Sequence, residues 1–143
     1  MRDIERLFLL PFLGHFALVV CLYAWLTVQR MRSVREGEAK ISDFVRSSGD
    51  PPNAARVRRN LSNQFEAPIF AYFAVVVLLW GQAVVWIDIA AAWMFLAGRV
   101  IHTAVQVFTD NVALRGQVFT INFIAICVLM GHVAIVVLKG WGA

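Results

Sequence analysis

Charged residues are scarce in this chain of 143 residues. Asp, Glu, Lys and Arg together make up only 15% of it, whereas 60% of the residues are hydrophobic. Soluble domains are about a quarter charged and about half apolar, so this composition excludes an ordinary soluble protein. The mean hydropathy of +0.70 leads to the same conclusion. We predict an integral membrane protein with one domain that covers residues 1–143.

Cysteine is scarce as well, and its positions exclude two kinds of site. Cys21 and Cys127 both lie inside apolar runs, where we expect them to be small buried side chains. No Cys-x-x-Cys pair and no Cys/His ligand spacing occurs, so the sequence predicts neither a disulfide framework nor a metal site. Haem bound by two histidines is disfavoured, because no two of the three histidines share a helix or an evident depth.

Four long apolar runs predict the fold. They cover about residues 7–29, 61–85, 89–109 and 116–138, and roughly 20 apolar residues in a helix span the hydrocarbon core. The first run is too long for a signal peptide, and no small-residue cleavage site follows it. The predicted fold class is all-α, a four-helix transmembrane bundle with both termini on one side of the membrane.

Basic residues concentrate in the loop between the first two spans. Residues 30–60 contain eight Lys or Arg and four Asp or Glu, and this surplus of four equals the net charge of the whole chain, +4. Cytoplasmic loops are enriched in basic residues, so we interpret this loop as cytoplasmic and place both termini on the opposite side. The basic character of the chain therefore does not require a nucleic-acid partner.

A single long helix is predicted to follow this loop. Asp50 precedes two prolines, which is typical of an N-cap followed by the first helical turn. We expect the helix to begin at Pro52 and to continue to about Trp80, with a kink at Pro68. Its first turns should project from the membrane, since the helix is longer than the hydrocarbon core is thick.

Polar side chains form a stripe where the second span begins. Arg56, Arg59, Asn63 and Glu66 are spaced three or four residues apart, which places them on one helix face. An ionisable group inside a membrane is costly and is a functional-site hypothesis by default. Two structural explanations remain open, namely an ion pair for Glu66 and anchoring to anionic headgroups for Arg56 and Arg58.

The third span has a second stripe, formed by Arg99, His102 and Gln106. A tight turn joins the second and third spans, so they should pack as antiparallel neighbours and bring the two stripes together. Glu66 is then the natural counter-ion for Arg99 or Arg115, because buried charges persist only when paired. For His102, a hydrogen bond that bridges two helices is favoured over acid–base catalysis.

The charge around these stripes predicts an anionic ligand. Arg59, Arg99 and Arg115 contribute three positive charges against one negative charge from Glu66, and Arg30 lies nearby. Arginine binds carboxylates in bidentate geometry and stays charged when it is desolvated. A guanidinium beside a thiol also lowers the pKa of the thiol, which favours the nucleophilic thiolate.

Two motifs resemble the MAPEG family, membrane-associated proteins in eicosanoid and glutathione metabolism. One is Arg-x-x-x-Asn-x-x-Glu at positions 59–66, and the other is Arg-Val-Ile-His-Thr at positions 99–103, with Arg115 after it. The resemblance covers nearly the whole chain. It implies a bacterial member similar to microsomal glutathione transferases, a homotrimer in the inner membrane with glutathione bound between subunits near the cytoplasmic side.

The resemblance also implies roles for individual residues. Arg115 would be the catalytic residue that stabilises the thiolate of glutathione, the co-substrate. The family commonly has a tyrosine where Gln106 stands, and its prostaglandin-synthase branch has a hydroxyl residue where Gly116 stands. Transferase or peroxidase activity on a hydrophobic small molecule that enters from the lipid is therefore favoured over isomerase activity. The residues expected to bind glutathione are Arg30, Arg59, Asn63, Glu66, Arg99, His102 and Gln106.

A non-catalytic protein of the same fold is the alternative. Its basic loop would bind anionic membrane lipid or a protein partner. Gln106 favours this alternative, because glutamine offers hydrogen bonds but no aromatic face. The set formed by Arg59, Asn63, Glu66 and Arg115 favours the enzyme.

Overall fold

A computed structural model describes residues 2–45 and 49–140. Five α-helices and one short 3-10 helix make these residues 84% helical, and no strand occurs among them. The α-helices are α1 (Asp3–Arg35), α2 (Pro52–Asn63), α3 (Pro68–Trp80), α4 (Trp86–Phe108) and α5 (Val112–Lys139), and the 3-10 helix is Ile41–Val45.

Four segments are long and apolar enough to cross a membrane, which confirms the predicted four-helix transmembrane fold. They are α1, the pair α2 and α3 taken together, α4, and α5. The first and fourth helical segments extend beyond the predicted spans, whereas the second ends at Trp80, before the predicted residue 85. α1 continues to Arg35, and α5 begins at Val112, where the side chain of Asn111 accepts a hydrogen bond from the backbone N–H of Leu114 at 2.9 Å. Arg115 therefore lies in the first turns of α5 rather than in a loop.

The second span is interrupted, so the prediction of one continuous helix was wrong. α2 ends at Asn63, residues 64–67 form turns, and α3 begins at Pro68. In a continuous helix Pro68 would have no N–H for the carbonyl of Gln64, and its ring would clash with that carbonyl. The backbone N–H of Gln64 instead bonds to the carbonyl of Leu61, three residues back, at 3.0 Å. The expected kink is thus a full break one turn before the proline.

The break allows the two halves of this span to pack on different helices. α2 packs on α1 and α4, whereas α3 packs mainly on α5. The predicted contact between the second and third spans is therefore made by α2, which packs on α4. The other half of the second span, α3, has its main contact with α5 instead. Two apolar clusters result. One includes Leu78, Phe95 and Leu129, and the other includes Leu22 and Val57 near the loop of residues 30–60. We call that end of the bundle the basic end.

Asp50 is not the N-cap of α2, contrary to the prediction. The N-cap is Pro51, and the buried carboxylate of Asp50 instead accepts a hydrogen bond from Arg30 Nε at 2.7 Å and pairs with Arg58 Nε at 2.6 Å. Hydrogen bonds between a guanidinium and a carboxylate are charge-assisted and are stronger than bonds between neutral groups. The hydrogen bond from Arg30 holds the pKa of Asp50 below its ordinary value of 3.8, against the opposing effect of desolvation. This cluster joins the end of α1 to α2.

Cys21 and Cys127 are exposed on the surface of the chain, so the expectation that they are buried was wrong. Large apolar side chains such as Phe16 and Ile124 are exposed on the same two helices. Lipid tails are as apolar as a protein core. An apolar run in a membrane protein therefore does not reveal which of its faces is buried against other helices.

Candidate functional site

One cavity at the basic end brings most of the predicted site residues together. Its volume is about 590 Å³, and α2, α4 and the first turns of α5 line it. Five further residues, which were not predicted as site residues, also line this cavity, namely Arg58, Ser62, Val112, Gly116 and Phe119. The predicted residues in its lining are Arg59, Asn63, Glu66, His102, Gln106 and Arg115.

The lining of this cavity is cationic. It contains three arginines, Arg58, Arg59 and Arg115, and a single carboxylate, Glu66. The cavity also lies beside the N-terminus of α5, since Val112 contributes to its lining. The N-terminal end of a helix dipole is positive and favours anions. Side chains and backbone together therefore make this cavity suited to an anionic ligand.

Asn63 and Gln106 form a direct bond across the floor of the cavity. The Asn63 side-chain N–H donates to Gln106 Oε1 at 3.0 Å, which links the end of α2 to α4. Gln106 is only 7% exposed, and its own NH₂ group forms no hydrogen bond within the described part of the chain. Gln106 therefore presents donors rather than an acceptor to a ligand, and donors are what an anion requires.

Glu66 does not pair directly with Arg99 or Arg115 among the described residues, although its negative charge favours the charged form of Arg99. Glu66 is exposed, and it forms no salt bridge within residues 2–45 and 49–140. Arg99 is fully buried and does not line the cavity. Its Nε donates to Gln64 Oε1 at 2.8 Å and its Nη2 donates to the Asn63 carbonyl at 2.6 Å. The free carbonyls and negative dipole at the end of α2 take the place of a carboxylate.

Arg30 lies apart from the cavity within one chain. It is bound to Asp50, and its guanidinium lies 5.1 Å from the centre of the Phe44 ring. Arg56, on the first predicted stripe, is also outside the lining and pairs with Asp110 in the turn between α4 and α5. Both arginines tie elements of the basic end together.

His102 lines the cavity without the helix-bridging hydrogen bond that we predicted. Its side chain is 2% exposed, and Nδ1 is buried with no partner among the described residues. The ring of Phe119 is nearby, with its centroid 6.3 Å from that of His102. Phe119 follows Arg115 by one helical turn, and that spacing is the sequence signal that could have identified it.

Three polar residues outside the cavity lie inside the helical bundle, and two of them bridge helices. His15 Nε2 lies 2.9 Å from Gln64 Oε1, and His132 Nδ1 lies 2.9 Å from both oxygens of Asp88. Asp88 is fully buried in the first turn of α4, so Glu66 is not the only carboxylate in the candidate membrane spans. Asn122 is 1% exposed, but neither of its polar atoms has a partner among the described residues.

A larger groove of about 620 Å³ lies between α1 and α3. Its lining is mostly apolar and aromatic and includes Phe16, Phe65 and Ile69. It also contains His15 and Gln64, but no Asp, Glu, Lys or Arg. This groove has no charge for an anion, so the cavity at the basic end remains the candidate site.

Comparison with known proteins gave one match. The model of the MAPEG family matches residues 8–135, a range that contains every residue lining the cavity at the basic end. A search of curated proteins and a search of solved structures each gave no significant match.

Proposed function

The chain belongs to the MAPEG family of membrane proteins in eicosanoid and glutathione metabolism, and on this basis we propose that it is a glutathione-dependent transferase or peroxidase that acts on lipophilic electrophiles. The observation that supports the proposal is the cationic cavity at the basic end, where Arg59, Asn63, Glu66 and Arg115 lie together. The same chain spans the membrane, so a substrate dissolved in the lipid can reach the protein without crossing water.

Glutathione offers the groups that this cavity would bind. Its two carboxylates suit arginine, which forms paired hydrogen bonds with them, and Arg59 is exposed in the lining. Its ammonium group suits Glu66, the one carboxylate of the lining, which is not engaged in a salt bridge. The free NH₂ group of Gln106 adds a donor, although it supplies no aromatic face.

Arg115 is the residue that we assign to the thiol. Its guanidinium would stabilise the glutathione thiolate, which is the nucleophilic form. In the transferase reaction the thiol first releases its proton to solvent. The sulfur then forms a bond to an electrophilic carbon of the substrate, and the leaving group departs with the electron pair of the broken bond.

Assembly and location are part of the same proposal. We propose a homotrimer in a bacterial inner membrane, with the basic loop in the cytoplasm and both termini on the other side. Within one chain Arg30 is held by Asp50, which also pairs with the lining residue Arg58, and Arg30 itself does not line the cavity. We propose that Arg30 contacts glutathione from a neighbouring subunit.

Conjugation of glutathione to chlorodinitrobenzene by the detergent-purified protein tests this function. We expect Arg115→Ala to lower kcat/KM at least about a hundredfold, which is typical for loss of one group that stabilises an anion. Arg32→Ala is the matched control. It removes the same charge from a residue outside the cavity and should leave the activity unchanged.

Full activity in Arg115→Ala would contradict the assigned role. A wild-type protein that binds anionic lipid vesicles but shows no conjugation and no peroxide reduction would favour the non-catalytic alternative. Thermal unfolding and the oligomeric state of each variant show whether the fold is retained.

A further inference from the structure

A network of buried hydrogen bonds surrounds the break between α2 and α3, and Gln64 is at its centre. Gln64 is 2% exposed. Its Oε1 accepts from Arg99 Nε at 2.8 Å and lies 2.9 Å from His15 Nε2. Its NH₂ group donates to Asn60 Oδ1 at 3.0 Å and to Thr103 Oγ1 at 3.3 Å. One side chain thus connects α1, α2 and α4.

Arg99 determines how the other groups of this network are oriented. Guanidinium N–H groups can only donate, so the Gln64 atom that faces Arg99 must be the oxygen. His15 Nε2 must then carry its hydrogen in order to bond to the same oxygen. The Tyr72 hydroxyl lies 2.9 Å from His15 Nδ1 and 3.3 Å from the Phe12 carbonyl, and its single hydrogen can be donated to either. The roles of Arg99, Gln64 and His15 Nε2 in the network are therefore defined.

The network also replaces a missing backbone bond. In a continuous helix the carbonyl of Asn63 would accept the N–H of Ala67, four residues later. At the break that carbonyl accepts Arg99 Nη2 instead, at 2.6 Å. A cation at the C-terminal end of α2 also interacts favourably with the helix dipole. Arg99 therefore stabilises the interruption that Pro68 imposes.

We propose that Gln64 is a positioning residue of the glutathione site and acts together with His15 and Arg99. This inference rests on the proposed function. Gln64 lies between Asn63 and Glu66, which both line the cavity, while its own side chain points into the bundle. None of Gln64, His15 and Arg99 lines that cavity, so their effect on a ligand is exerted through the backbone of residues 63–66.

Two substitutions of His15 provide a matched test. The amide N–H of glutamine can lie near the position of His15 Nε2, whereas asparagine is shorter and reaches only about as far as Nδ1. His15→Gln should keep the hydrogen bond to Gln64, and His15→Asn should lose it. We expect the Kd for glutathione, measured by calorimetry in detergent, to rise about tenfold in His15→Asn and in Gln64→Ala. His15→Gln should stay close to the wild type.

His132→Ala is the control for lost stability. It removes a different interhelical bond, to Asp88, at the opposite end of the bundle. We expect it to lower the melting temperature and leave the Kd for glutathione unchanged. Hydrogen exchange at the amides of residues 62–67 should become faster in His15→Asn and should not change in His132→Ala.

An unchanged Kd in His15→Asn, with a loss of stability like that of His132→Ala, would overturn the proposal and make the network purely structural. If Gln64→Ala fails to fold, the comparison of His15→Asn with His15→Gln decides alone. A wild-type protein that binds no glutathione would refute the proposed function and this inference with it. Glutathione binding by the wild type therefore distinguishes a failure of the proposed function from a failure of this inference alone.

Discussion

At the scale of single residues, Gln106 sets the polarity of the cavity floor. Its oxygen accepts a hydrogen bond from Asn63, so its NH₂ group remains available as a donor for the proposed ligand. Gln106→Glu would keep an acceptor for Asn63, but it would replace the donor by a second negative charge. We expect the Kd for glutathione to rise about tenfold or more, because like charges repel strongly in a partly buried site.

Calorimetry of Gln106→Glu beside Gln117→Glu checks this prediction. Gln117 is exposed on α5 and does not line the cavity, so the control adds the same charge without placing it in the site. Equal glutathione affinity in Gln106→Glu and in the wild type would show that the ligand does not meet Gln106.

The sequence predicted the members of the cavity better than it predicted their partners. Spacing alone placed Arg59, Asn63 and Glu66 on one face, and all three line the cavity. It also indicated that Arg99 lies inside a span, where its buried charge needs a partner. The partner was missed because the carbonyl of Asn63 becomes available only if the helix breaks, and a proline permits either a kink or a break.

At the scale of elements, the contact between α1 and α2 depends on Asp50. Its carboxylate is buried between Arg30 and Arg58, and its pKa in the folded protein lies below the ordinary value of 3.8. The ionised group therefore contributes its full stability above that value. The contribution is lost as the pH falls through the lower, folded-state pKa.

We expect Asp50→Asn to lower the free energy of unfolding at neutral pH by about 1 to 3 kcal/mol, the range for hydrogen bonds to charged groups. The stability of the wild type should fall below about pH 4, and the stability of the variant should fall less over the same range. Denaturant titration in detergent between pH 3 and pH 7 measures both effects. Parallel pH profiles for the two proteins would mean that Asp50 is not paired in the folded state.

The elements themselves were predictable and their faces were not. Length and apolar composition identified all four spans, because hydrocarbon admits almost nothing else. The same apolar character covers both the buried and the lipid-facing sides, which explains the error on Cys21 and Cys127. The packing of α3 on α5 rather than mainly on α4 follows from the break at residues 64–67, which hydropathy does not report.

At the scale of the whole molecule, the two ends of the bundle differ in charge and in openness. The basic end has the arginine-lined cavity. At the other end the buried carboxylate of Asp88 is bonded to His132 and to the backbone N–H of Val85. Exposed arginines beside a cavity can attract an anion from water, whereas a satisfied buried pair cannot. This asymmetry places the proposed chemistry at the basic end.

The most direct test of the proposed chemistry is the ultraviolet absorbance of the glutathione thiolate bound to the detergent-purified protein, recorded as the pH is varied. With the wild type, the thiolate signal should appear below the ordinary thiol pKa of about 8.5, because Arg115 stabilises the anion. Arg115→Ala should bind glutathione without that signal, and Arg115→Lys should keep part of it because it retains the charge. The same thiolate signal in Arg115→Ala as in the wild type would contradict the central role of Arg115.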